Sequence, residues 1–395
     1  MKITEVNAYP LNATFEKYFG GIDEVPEHFL VPSANFKVSP RKGQCTTVVE
    51  IKCDNGSVGY GEAFGLPDAS YSAAFVNNTF APVLTGRNPL EIFKLWETMM
   101  SIASGLGNTA GPMFEAISGI DIALWDLKGK VMNVPAYELL GGKVKEEIYC
   151  YASPIMLFKT TEETKNRAQE LIDAGFTAMK LKIGRDVQTD MLHIKAVREQ
   201  VGFDIKLMLD MNCGYEGRVH EAIRLAHEAE PYDIYWLEEP VPLENLDAYK
   251  TIKRNINIQM AAGENSFTFM EFKRVIQSGV LDVIMPNLSR AGGITGAYHI
   301  NMFATANNVK LSPHGVGSGI NILAASHLMT PFTNSLLFEY NQFLNPLRHT
   351  ILNNQIEYNN SYITLSEEAP GLGIDINWDT IRTYMAEGWE GKVFK

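Results

Sequence analysis

From about residue 147 the chain alternates short apolar runs with stretches whose apolar residues recur every three or four positions. The runs fall at 148–153, 178–183, 205–210, 234–238, 259–264, 280–285, 309–313 and 336–340. Helical spacing marks 161–174, 189–201 and 218–230 between several of them. Alternating β and α units predict a parallel sheet, and eight such units predict closure into a barrel. An open doubly wound sheet is the competing architecture. It is disfavoured because no G-x-G-x-x-G follows an early strand.

The first 130 or so residues have a different texture. β-rich runs appear at 2–11 and 46–52, followed by a glycine-rich turn-and-strand pattern at 56–65. Helical patterns follow at 90–104 and 114–131, the second with Ala116, Ile117, Ile120, Ala123, Leu124 and Leu127 on one repeat. Residues 14–43 mix glycine, proline and aromatics with little periodicity. Irregular segments of that length in a compact enzyme often form a lid or binding loop. Beyond about residue 360 the β/α repeat stops, and the tail is expected to pack back on the first module. The expected division is therefore 1–130, 131–360 and 361–395.

Composition narrows the function. With 395 residues the chain is long enough for one barrel plus a smaller module, and its 46% hydrophobic and 20% charged content is ordinary for a globular protein. A net charge of −12 argues against nucleic acid or anionic membranes as the main partner. No window reaches the apolar length of a membrane span, and the N-terminus shows no secretion signal. Cys45, Cys53, Cys150 and Cys213 are scattered without C-x-x-C spacing, which fits reduced thiols in the cytoplasm.

The candidate chemistry lies at the ends of the predicted strands. Lys182, Asp210, Glu238 and Glu264 close four successive strands, each after an apolar run such as Leu207-Met208-Leu209. C-terminal strand ends ring a barrel's active site, so three carboxylates converge. Singly, each acid also reads as a helix cap. Together they would repel and raise one another's pKa unless a cation intervened. An all-oxygen set without Cys or His points to Mg²⁺ rather than zinc.

Lys180 and Lys182 share one strand face, since side chains alternate with period two. One lysine is suited to hold a substrate anion and the other to act as base. His314 closes strand seven, and Asp282 in strand six is the expected partner fixing its tautomer. His193, His220 and His227 fall in helical stretches and read as surface residues. Glu339 ends strand eight and, if protonated, would donate to a developing oxyanion.

These residues resemble the enolase superfamily, and within it the mandelate racemase subgroup, over nearly the whole chain. The run Ala116-Ile117-Ser118-Gly119-Ile120-Asp121 with Trp125-Asp126-Leu127-Lys128-Gly129-Lys130 looks like the family's stretch before its barrel. The resemblance implies a (β/α)7β TIM-like barrel with an N-terminal α+β capping domain completed by the C-terminal tail. It implies Asp210, Glu238 and Glu264 as Mg²⁺ ligands, Glu238 rather than Glu239 being the first acid of Leu237-Glu238-Glu239-Pro240. Lys182 is then one base and His314 with Asp282 the other, Lys180 lies near the substrate carboxylate with Asn212 close by, and Glu339 is the enolate hydrogen-bond donor. Strand six carries no lysine, which sets the muconate-lactonising branch aside.

The implied reaction is removal of the proton α to a carboxylate, followed by loss of water from an acid sugar to give a 2-keto-3-deoxy acid. The alternative is a racemase or epimerase of a 2-hydroxy acid. A non-catalytic carboxylate-binding protein is disfavoured, because every proposed acid, base and ligand is present. The partner is a small carboxylate, and such modules often form homo-oligomers. Residues 14–43 match no family pattern, and 213–218 look slightly longer than in relatives. Lys17, Tyr18, Phe19, His28 and Arg348 are candidate substrate contacts, although loop residues are more often structural or solvent-facing.

Overall fold

The computed structural model describes residues 1–389. Strands β1 (Ile3–Thr14), β2 (Gly43–Cys53) and β3 (Val58–Phe64) form an antiparallel sheet in that order. The helix Pro112–Met132 packs on it with most of its residues buried, so it is covered on nearly every side rather than along one stripe. Close approach is made possible by glycine. A Cβ on Gly61 would lie 2.1 Å from the Gly119 carbonyl oxygen, and one on Gly59 2.3 Å from that of Ala123. Backbone cannot yield as a side-chain tip does. Gly61→Ala is therefore expected to cost at least about 1–3 kcal/mol, read as a lower urea midpoint with an unchanged slope.

The eight expected strands are all present. They are β4 (Glu147–Ile155), β5 (Ala178–Lys182), β6 (Lys206–Asp210), β7 (Ile234–Glu238), β8 (Gln259–Ala262), β9 (Val283–Ile284), β10 (Lys310–Leu311) and β11 (Phe338–Asn341). Parallel pairing runs from β4 through β10, and β11 pairs in parallel with β4. The remaining gap is bridged by Leu336 N donating to Leu311 O at 2.7 Å. Tyr151, Ala178, Met208, Trp236, Ala261, Val283, Met285 and Leu337 fill the interior. The helices fall where the pattern predicts, and Thr160 with Glu163 forms a capping box at the start of Thr161–Asp173.

The hairpin of β12 (Glu357–Asn359) and β13 (Tyr362–Thr364) pairs antiparallel with the first residues of β4, so the expected boundary at 360 falls in its turn. The boundary expected at 130 falls in the last turn of the helix Pro112–Met132. Within the expected segment 361–395, residues 390–395 lie outside the described residues; in the described part Ala386 N donates to Pro10 O, and Trp378 meets the Tyr9 ring edge-on. Buried carboxylates fasten this capping module to the barrel. Glu62 accepts from Ser318 N and Asn321 N at the start of the helix Gly319–Met329, and Asp121 accepts from Thr295 N and Oγ1. His193 is not a surface residue: it is buried between two helices and bonds Thr164 Oγ1 at 2.7 Å.

Candidate active site

Asp210 and Glu238 meet because β6 and β7 end in step, and Glu264 follows two residues beyond the end of β8. Lys182 stands beside Asp210, and Asp210 beside Glu238, in the strand register. Asp210, Glu238 and Glu264 are buried, and each offers an oxygen within 4.8 Å of the others. Lys180 Nζ reaches Glu238 Oε1 at 2.8 Å and lies 3.3 Å from both Asp210 and Glu339. Lys182 Nζ donates to Asp210 Oδ2 at 2.5 Å.

Electrostatics follow from burial opposed by these pairings. Burial and the neighbouring Asp210 charge push the Glu238 carboxyl well above its usual range. Burial would also raise Asp210, but the Lys182 and Lys180 ammoniums outweigh it and bring the group below its usual value. For the lysines the balance reverses: burial opposes the charge, and the surrounding carboxylates more than restore it. Two polar atoms are left over. Glu264 Oε2 and Asn212 Oδ1 are buried and make no hydrogen bond. A tight all-oxygen set with orphaned acceptors fits a hard divalent cation.

Above the carboxylates lies a cavity of about 660 Å³. Lys182, Asn212, Glu264, His314 and Glu339 line its floor, and residues of the 14–43 segment, among them Ser33, Asn35, Phe36 and Arg41, line it from the capping side. The 14–43 segment thus borders the cavity, folded mostly as short helical turns between β1 and β2. Lys17, Tyr18, Phe19, His28 and Arg348 are not among the lining residues. Lys17 instead donates to Thr383 O, His28 packs on Phe29 and Phe158, and Arg348 holds Asn341 Oδ1 and Phe343 O. Lys180 is fully buried beneath the cavity and does not line it either.

Two expectations about the second half of the barrel need correction. Asp282 does not orient His314. It precedes β9, at the opposite end of the strand from the cavity, where its carboxylate pairs with Lys253 and accepts from Met260 N. Five residues of extended chain span about 16 Å, so only the far end of this segment faces the site.

Asn287 is the residue at that far end. Its Oδ1 accepts from Ser289 N and Oγ, and its Nδ2 donates to Val316 O at 2.8 Å, which fixes the orientation of the amide. The same Nδ2 lies 3.0 Å from His314 Nδ1. Nδ1 must therefore accept, and the neutral ring carries its proton on Nε2. Nε2 faces the cavity acids, 3.2 Å from Glu264 Oε2 and 3.7 Å from Glu339 Oε2. Strand polarity was the signal available in the sequence: in a parallel barrel only residues after the apolar run can reach the mouth.

Glu339 also differs from the protonated donor expected of it. Burial favours its neutral form, but Lys180, His314 and Lys182 outweigh burial and hold the carboxyl below its usual range. It accepts from Gly315 N at 3.1 Å.

Comparison with known proteins agrees with this architecture. Residues 29–141 match the family model described as mandelate racemase/muconate lactonizing enzyme, N-terminal domain, and 163–380 match the enolase C-terminal domain-like model. The chain belongs to the enolase superfamily, in its mandelate racemase group. Among curated members it is 35% identical to D-galactarolactone cycloisomerase of Agrobacterium fabrum, over 85% of this chain and 90% of that protein. It is 30% identical to D-xylonate dehydratase of Haloferax volcanii, over 86% and 85%. The crystal structure of 3,6-anhydro-D-galactonate cycloisomerase from Zobellia galactanivorans superposes with a TM-score of 0.86 at 31% identity, covering 98% of this chain and all of that one. This enolase-superfamily chain is thus an enzyme whose named relatives act on acid sugars and related lactone or anhydro compounds. Among the described residues no helix is long and apolar enough to cross a membrane.

Proposed function

We propose that this chain is an acid-sugar dehydratase in which Lys182 removes the α-proton and His314 Nε2–H donates a hydrogen bond to the departing β-oxygen. The observation that carries the reading is the amide of Asn287. It leaves the imidazole with a proton facing the cavity, which is what a leaving hydroxyl requires. Asp210, Glu238 and Glu264 would hold Mg²⁺, which supplies Lewis-acid stabilisation of the charge developing on the substrate carboxylate. Lys182, beside Asp210 at the end of its strand, would act as the base in its neutral form. The C2 proton passes to Lys182, the C3–O bond breaks with the departing oxygen hydrogen-bonded by His314 Nε2–H, and the Lys182 ammonium gives that proton to the departing hydroxide, which leaves as water. The resulting enol ketonises to a 2-keto-3-deoxy acid. Asn212, with its unpartnered Oδ1, would accept from a substrate hydroxyl.

Incubation of an acid-sugar panel with Mg²⁺ tests the reading by formation of 2-keto acid. Silence across the panel would count decisively against it. A second reading is supported by the two cycloisomerase relatives: the same proton removal, but with a ring C–O bond broken in place of a hydroxyl. Product NMR on cyclic acid-sugar substrates separates the two.

Racemisation by two bases is the reading that Asn287 weighs against, because an amide donor cannot accept the Nδ1–H of a newly protonated ring. In D₂O, substrate recovered from the native enzyme is accordingly expected to keep its configuration. Asn287→Asp supplies an acceptor at Nδ1 and should let epimerised, deuterated substrate accumulate. An unchanged NMR spectrum of substrate recovered from that variant would remove the tautomer argument.

A further inference from the structure

The cavity contains a second charged feature that the proposed chemistry leaves unused. Arg41, in the segment joining β1 to β2, is buried at 9% exposure. Its protein partners are neutral: Nε donates to Gly43 O at 3.1 Å and Nη2 to Gln44 Oε1 at 2.6 Å. Gln44 is itself braced by Leu344 O. Phe36 and Phe343 pack on the guanidinium, with ring centroids 5.6 and 5.0 Å away. Nη1 has no hydrogen-bond partner, and no carboxylate among the described residues forms an ion pair with the group.

Arg290, the other arginine lining the cavity, is the contrast. It has Glu115 Oε1 at 3.1 Å, with Asn265 Oδ1 and Glu264 O as further acceptors. Arg41 is a buried cation held rigidly at a cavity wall with one face unsatisfied. Removing a charge from water without a paired counterion is expensive, and burial outweighs the attraction of Cys45 and Glu264 to bring the group down to about 10. Something anionic entering the cavity would offset that cost. The carboxylate next to the abstracted proton belongs at Lys182 and the acidic triad on the cavity floor, whereas Arg41 lies on the capping side.

We infer that Arg41 is a specificity residue binding an anionic group at the far end of the substrate. The preferred substrate class is then a sugar acid with a distal carboxylate or phosphate, rather than an acid with one charged end. The inference rests on the acid-sugar reading above, and binding measurements separate the two.

The experiment titrates galactarate, 6-phosphogluconate and galactonate into the Mg²⁺-loaded native protein and into Arg41→Gln by calorimetry, with turnover assayed in parallel. Native protein should bind one doubly anionic compound at least tenfold more tightly than galactonate. Galactarate against 6-phosphogluconate identifies which distal anion is read. Arg41→Gln should abolish that preference while changing galactonate binding less than threefold, and for any acid turned over the loss should lie in KM rather than kcat. Arg41→Lys should restore part of the preference, which a purely structural role would not produce. Equal affinity for all three acids in the native protein, or an equal loss for all three in Arg41→Gln, overturns the inference. Retained preference without turnover of any acid sugar would instead overturn the dehydratase reading and leave Arg41 as assigned.

Discussion

Lys182→Met should lose about 10²–10⁴-fold in kcat and, with it, all exchange of the substrate α-proton with solvent. Methionine keeps a stem of nearly the same length, with sulfur for one methylene, and removes the amine. The fold should survive the change, because Asp210 retains Lys180 Nζ at 3.3 Å and is not left without a cation. His314→Asn provides the complement. If His314 acts on the leaving oxygen, that variant should lose elimination by a similar factor while still exchanging the α-proton, since Lys182 is intact. Exchange is followed by NMR in D₂O and elimination by 2-keto acid formation. Exchange surviving in Lys182→Met would displace that lysine from its role. Loss of both signals in His314→Asn would make the histidine part of proton abstraction. The double variant should be little worse than the poorer single one, because residues serving one sequence of proton transfers are not additive.

The sequence exposes this half of the site well because parallel strands impose register. Lys182, Asp210 and Glu238 are hydrogen-bonded neighbours across β5, β6 and β7, so three apolar runs ending in polar residues place those groups side by side without any knowledge of loops. The eight strands are readable for the same reason, being apolar runs separated by amphipathic helices. The sequence is less informative where geometry depends on which end of a short element faces the site. β9 is two residues long, and Asp282 and Asn287 flank it on opposite ends. Counting a polar residue as within the strand therefore selects the wrong one. Arg41 is hidden for a different reason. Nothing in a stretch without periodicity says which of its cations will be buried, and Lys17 from the same segment turns away to Thr383.

Stripping divalent cations should abolish turnover, and Mg²⁺ should restore it. The carboxylate arrangement also indicates which variant isolates the effect. Glu238 is the nearest of three carboxylates around Lys180, at 2.8 Å, and Asp210 pairs with Lys182, so neutralising either acid disturbs a buried ion pair. Loss of one member of a buried pair typically costs about 3–5 kcal/mol, which would confuse a folding defect with a metal defect. Glu264 forms no ion pair with a lysine, and its Oε2 faces the neutral His314 ring, 3.2 Å from Nε2. Glu264→Gln should therefore remain folded while losing Mg²⁺ affinity and turnover together. Calorimetric titration of Mg²⁺ into the stripped protein reads the affinity directly. A second readout is stability, because a ligand bound only by the native state adds RT ln(1 + [L]/Kd), or about 2.7 kcal/mol at a hundredfold excess over Kd. The native protein should thus melt higher in Mg²⁺, and Glu264→Gln should show little of that increment. A variant that still gains the full increment would place the cation elsewhere than on Asp210, Glu238 and Glu264.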